Sequence, residues 1–188
     1  MINRAALSVK PTLTGERVRL VPLALRHAED FWRSVQDPEL RRLTGTVREF
    51  TLADTEQWCA DRADQPDRLD LAIEDPHTGE FLGELALNEL DPDNHSASFR
   101  IALAPGRPGR GLGPEATRLL LRHVFEEIRL NRVHLEVFEY NPRAVRSYEK
   151  AGFVHEGRSR QALKWDGQYH DVLHMAVLRE EWLAGDAR

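Results

Sequence analysis

Between a strand-like and a helix-like segment the chain carries RPGRGLGPEA, residues 107–116, and this junction restricts the fold more than any other feature. The segment before it, SASFRIALA, alternates apolar and polar residues as a strand does. The segment after it, TRLLLRHVFEEI, has the spacing of an amphipathic helix. NRVHLEVFE then reads as a strand again, with Val133, Leu135 and Val137 on one face. Strand, helix and strand in succession favour parallel pairing through a right-handed crossover. The junction is also chemically distinctive. Gly109, Gly111 and Gly113 let backbone amides approach an anion without Cβ interference, and the free N–H groups of a helix start attract one. Arg107 and Arg110 add positive charge. The helix is expected to begin near Gly113, with Pro114 at its first position. On these residues alone a phosphate loop and an ordinary surface turn remain open. The nucleotide pattern GxxxxGK[ST] is absent, and G-x-G-x-G is not the dinucleotide fingerprint.

The remaining elements follow from periodicity and punctuation. Residues 1–15 read as an irregular lead-in, and 16–184 as a single domain. ERVRLVPL suits a first strand. ALRHAEDFWRSVQD places Ala28, Phe31, Trp32 and Val35 at helical spacing, with Pro38 beyond its end. TLADTEQWCADRAD is a second helix that Thr51 can cap. RLDLAIED and EFLGELALNEL are strands joined by the turn PHTG. NPRAVRSYEKAGF is a short helix with Asn141 as cap, Pro142 at its first position and Gly152 at its exit. FVHEGRSRQALKW and YHDVLHMAVL form a closing hairpin across DGQ. The fold class is therefore α/β (α+β): a mixed, mostly antiparallel central sheet of about seven strands flanked by about four helices.

Composition removes several classes of function. Of 188 residues 41% are hydrophobic and 30% charged, as in a soluble globular protein, and the net charge is −5. No basic run suggests nucleic acid or anionic lipid, and no apolar run is long enough to span a membrane. A single cysteine, Cys59, excludes a disulfide framework and suits a reducing cytoplasm. His170 and His174 have helical metal-pair spacing, but they lie in a strand pattern, where they would stand about 13 Å apart. No metal is expected.

The loop and the segment LEVFEYNPRAVRSYEKAGF together resemble the GNAT superfamily, the GCN5-related N-acetyltransferases. The family's pyrophosphate loop, Q/R-x-x-G-x-G/A, is matched by Pro108-Gly109-Arg110-Gly111-Leu112-Gly113, with Pro108 where Gln or Arg is usual. Asn141, Ala144, Tyr148, Glu149, Gly152 and Phe153 match its N-x-x-A-x-x-x-Y-E-x-x-G-F ending. The wider pattern is similar to the branch named for ribosomal-protein acetyltransferases, which also holds enzymes for polyamines, antibiotics and amino acids. Members of that branch often carry Ser and Glu where this chain has Ala144 and Leu163, so the ribosomal substrate is not carried over.

The resemblance implies acetyl-CoA as cosubstrate and an amine as acceptor, joined by direct attack in a ternary complex. It implies a cofactor site formed by Ile101, Ala102 and Leu103, by Gly109 to Pro114 including Arg110 and Leu112, and by Asn141 and Tyr148. One amide within 101–103 would serve the developing oxyanion. Tyr148 is the expected acid for the departing thiolate. Glu136 of LEV is the expected base, with Glu84 in reserve. Trp32 and Trp58 are placed to line the acceptor cleft or simply to pack. The carboxylates Glu84, Glu89, Asp91, Asp93, Glu136 and Glu139 point to a small cationic molecule or a peptide or protein amine as acceptor. A monomer and a homodimer both remain open. The other class of function is a non-catalytic acyl-CoA-binding sensor or regulatory module.

Overall fold

The computed structural model describes residues 2–107 and 109–186. Among them lie eight strands: β1 (Leu13–Thr14), β2 (Arg19–Pro22), β3 (Leu69–Glu74), β4 (Phe81–Asp91), β5 (Ser96–Leu103), β6 (Arg132–Phe138), β7 (Val154–Trp165) and β8 (Gln168–Leu178). They form one sheet in the order β1-β2-β3-β4-β5-β6-β8-β7. Every neighbouring pair is antiparallel except β5 and β6. The seven helices are α1 (Arg4–Ser8), α2 (Ala28–Gln36), α3 (Pro38–Thr44), α4 (Leu52–Arg62), α5 (Leu112–His123), α6 (Pro142–Lys150) and α7 (Arg179–Asp186). None is long and apolar enough to cross a membrane.

The crossover from β5 through α5 to β6 gives the parallel pair that strand, helix and strand require. The buried face of α5 runs through Leu112, Ala116, Leu120 and Val124, recurring every four residues. A π-helical turn, Val124–Ile128, and the left-handed Arg129 close it. This face packs with Leu71, Leu85, Phe99 and Leu135 in the larger core. Full burial of each such side chain contributes roughly 1.5–3 kcal/mol. A smaller core on the other sheet face joins Val21, Leu23, Ala72 and Phe81 to Ala28 and Cys59 of α2 and α4.

Four expectations differ from the structure. The lead-in is not irregular: Asn3 caps α1, and Leu7 is buried in the larger core. Pro38 does not merely follow a helix but begins α3, at a position where its missing N–H costs nothing, with Asp37 as cap. Helix α5 is capped by Gly111, which puts Gly113 inside the first turn and Pro114 at the third position. Finally, β6 and β7 run parallel but do not touch, because β8 inserts between them and pairs with both.

The parallel pair positions the site. Strands β5 and β6 are in register only at Ser96–Arg132, Ala97–Val133 and Ser98–His134. Beyond these pairs the strands separate. The edge of residues 99–103 that faces β6 is left without a neighbour, while its other edge stays bonded to β4. Backbone groups on such an edge need another partner.

Candidate active site

The separation of β5 from β6 opens into a cavity of about 760 Å³. The carboxyl end of β5 enters as Ile101, Ala102 and Leu103. The glycine loop and start of α5 enter as Gly109, Gly111, Leu112, Gly113 and Pro114. From the far side come Glu136, Asn141 and Tyr148, and from β4 comes Glu84. Arg110 is exposed and is not among the lining residues. Arg107 is tied to Glu80 on the surface.

The loop is built as its glycines suggest. Gly106, Gly109 and Gly111 take φ of +77°, +88° and +76°, a region that side chains disfavour. Gly111 then caps α5, whose first amides have no acceptor within the helix. Glu115 holds the loop base by accepting the Arg17 N–H at 2.9 Å. Pro114 has no N–H and Glu115 donates to the Gly111 carbonyl at 3.2 Å, which leaves the amides of Leu112 and Gly113, among the described residues, for an anion such as a pyrophosphate.

Tyr148 sits in the last turn of α6, whose cap is the Asn141 side chain accepting the Ala144 N–H at 3.1 Å. The ring is buried and meets Phe99 edge-on at 6.3 Å between centroids. Burial pushes its phenol up to about 12, so it keeps its proton at neutral pH. It has no hydrogen-bond partner among the described residues.

The two carboxylates occupy different surroundings. Glu84 is 6% exposed, and Arg100 Nη2 lies 3.7 Å from it. Burial raises its carboxyl above the ordinary value, against the pull of Arg100. Glu136 does lie opposite the Val133, Leu135 and Val137 face, but its side chain is 65% exposed. It stands 3.6 Å from His174, its cross-strand partner on β8. Of the other carboxylates grouped in the sequence, Glu139 pairs with Arg158 and Asp91 binds Asn94 within its own turn.

Sequence reasoning missed a charged group under α4. Asp70 takes two bonds from Arg68, at 2.6 and 2.7 Å, and Arg100 lies 4.0 Å away. The signal was available: Arg100 shares its strand face with Ala102, next to the expected oxyanion donor. Trp58 lines the cavity, whereas Trp32 donates to the Phe50 carbonyl at 3.0 Å outside it. Cys59 is buried away from the lining, and burial pushes its thiol up to about 12, which keeps it protonated and unreactive. Among the described residues no group of three or more His, Cys, Asp or Glu side chains is arranged to hold a metal.

Known proteins share this architecture. A family model described as "Acetyltransferase (GNAT) domain" matches residues 17–154. Spermidine N(1)-acetyltransferase of Vibrio cholerae is 33% identical over 103 residues, 55% of this chain and 60% of that protein. The Escherichia coli K12 protein of the same name is 30% identical over 106 residues, 56% of this chain and 57% of that protein. The chain thus spans less than two thirds of these relatives' length. The crystal structure of a GCN5-related N-acetyltransferase from Brucella melitensis is 27% identical, with a TM-score of 0.77 over 93% of this chain and 81% of that one. The V. cholerae spermidine enzyme in complex with CoA and spermine has a TM-score of 0.83 at 23% identity, a likeness of fold, over 90% of this chain and 99% of that one. The family match covers most of the described sheet and the whole glycine loop, and the chain belongs to the GNAT acetyltransferase family.

Proposed function

We propose that this protein is an acetyl-CoA-dependent N-acetyltransferase that acetylates a primary amine by direct attack in a ternary complex. The observation that carries this reading is the opening between β5 and β6, where free loop amides, Glu84 and Tyr148 border one cavity. Curated relatives that act on spermidine support a small amine as acceptor.

The chemistry divides among the residues. An amine of ordinary pKa, about 10.4 for a lysine-like group, is almost wholly protonated at neutral pH. Glu84 takes that proton, directly or through a water. Its burial and its register opposite Ala102 favour it over the exposed Glu136 as base. The freed nitrogen attacks the thioester carbon, and an amide on the open edge of 101–103 donates to the oxygen as charge develops. The C–S bond then breaks as the Tyr148 hydroxyl gives its proton to the departing thiolate, and the second proton of the new amide nitrogen passes to the phenolate left behind. The loop amides from Gly109 to Gly113 hold the pyrophosphate and fix the thioester along the gap.

Thiol release from acetyl-CoA across a panel of amines tests the reading. Amine-dependent release is expected. Binding of acetyl-CoA without release for any amine would instead support an acyl-CoA-binding module.

A further inference from the structure

The cavity lining carries guanidinium groups beside its carboxylates. Arg41, Arg48 and Arg100 all belong to it. Arg41 is held by backbone carbonyls, from Nε to Thr46 at 3.2 Å and from Nη2 to Val47 at 2.8 Å, and has no carboxylate partner among the described residues. Arg48 rests over the Phe50 ring at 5.0 Å. The nearby Asp54 is committed elsewhere, since its Oδ2 accepts from both the Thr51 N–H and hydroxyl at 2.8 Å. Arg100 has two acidic neighbours, at 3.7 and 4.0 Å, but its side chain is 46% exposed. One of those neighbours, Asp70, is already satisfied by two closer bonds from Arg68.

A polyamine brings further positive charges beside the reacting nitrogen. Here they would meet three arginines, and like charges in a partly dry cleft repel strongly. A carboxylate would instead accept paired bonds from a guanidinium, whose planar fork matches it. The separation of Glu84 from Arg100 also sets a length. A molecule with its nitrogen at Glu84 and its anionic group on Arg100 needs only a short spacer, as in an α-amino acid.

We infer that the acceptor is an amine bearing a carboxylate close to its nitrogen, and that Arg100 receives this carboxylate while Arg41 adds to the same field. The inference rests on the acetyltransferase reading above and narrows its acceptor. Arg100 acts here as the residue that selects the acceptor; it takes no part in proton transfer.

The test is kcat/KM for α-amino acids, each paired with its carboxamide, and for spermidine, using the wild type, Arg100→Gln and Arg41→Gln. At least one amino acid should exceed its amide by about ten- to hundredfold, the range of a charge-assisted hydrogen bond. Arg100→Gln should bring that ratio towards unity while the KM for acetyl-CoA stays unchanged, and Arg41→Gln should lower the ratio less. Amides turning over as well as their acids, or spermidine exceeding every amino acid, would overturn the inference and leave the acetyltransferase reading intact. A rise in acetyl-CoA KM in Arg100→Gln, with the ratio kept, would assign this arginine to the donor and equally overturn it. Turnover with no amine would overturn the reading beneath it. If Arg100→Gln does not fold, the wild-type ratio and Arg41→Gln decide.

Discussion

Glu84 and Ala102 are cross-strand partners in the β4–β5 ladder. The buried carboxylate therefore lies one strand away from the open edge, on the same strand pair as the expected oxyanion donor. Glu136 reaches the cavity from the opposite arm of the gap, where its cross-strand partner is His174, at 3.6 Å. The pH profiles of two variants separate their roles. Burial raises the Glu84 carboxyl, so it loses its proton at a higher pH than an exposed glutamate. Below that pH the base is occupied, and kcat/KM should climb as it empties. Glu84→Gln should lower the rate at neutral pH by about 10²–10⁴-fold and recover part of the loss at high pH, where more amine is already neutral. Glu136→Gln should change the rate only a few fold, about the cost of an exposed charge. High-pH rescue seen only in Glu136→Gln would move the base to β6.

Tyr148→Phe keeps the edge contact with Phe99 and removes the proton donor. Turnover should fall by about 10²–10⁴-fold while acetyl-CoA affinity, measured by calorimetry, survives. Wild-type turnover in this variant would reduce Tyr148 to a packing residue.

Gly111→Val places a branched side chain at φ of +76°, and Gly113→Val fills the space towards Ser147 and Leu103. Both should weaken acetyl-CoA binding sharply. Gly111→Val should also lower stability by about 1–2 kcal/mol, the cost of a left-handed residue. A Cβ at Gly113 meets its nearest atoms at 3.5 and 3.7 Å, ordinary contact distances, so Gly113→Ala separates an effect on binding from an effect on folding. Unchanged affinity in both variants would sink the pyrophosphate assignment.

Cys59→Ser should leave turnover nearly intact. The thiol is buried, protonated and outside the cavity lining, so no acetyl-cysteine is expected. Burying a hydroxyl there should cost about 1–3 kcal/mol, visible as a lower Tm. An acetyl group trapped on Cys59 by mass spectrometry, with activity lost in the variant, would replace direct transfer by a two-step route.

Local signals carried most of the fold. Thr51, Asn141 and Gly152 cap or end helices where their chemistry demands, and the alternation of β6 buries Val133, Leu135 and Val137 as expected. Pairing decisions that depend on distant strands were not legible. Nothing in residues 132–165 says that β8 will enter between β6 and β7, because that choice is made by burial on both faces of a later segment. The site shows the same division. The loop and Tyr148 each come from a short motif contiguous in the chain, whereas the contrast between Glu84 and Glu136 depends on how much sheet and helix covers each. The partners of Arg100 were unreadable for the same reason, since Asp70 and Glu84 arrive from two other strands.

The opening between β5 and β6 has a thermodynamic consequence. Strands β5 and β6 pair at only three register positions. A donor molecule lying in the gap would become the missing strand, bonded to one arm and packed against the other. Acetyl-CoA should then act as a stabiliser of the native state, adding about 2.7 kcal/mol at a hundredfold excess over Kd. Amide exchange should slow first at 99–103 and then along 135–138, so that the melting point reports the supply of the cosubstrate.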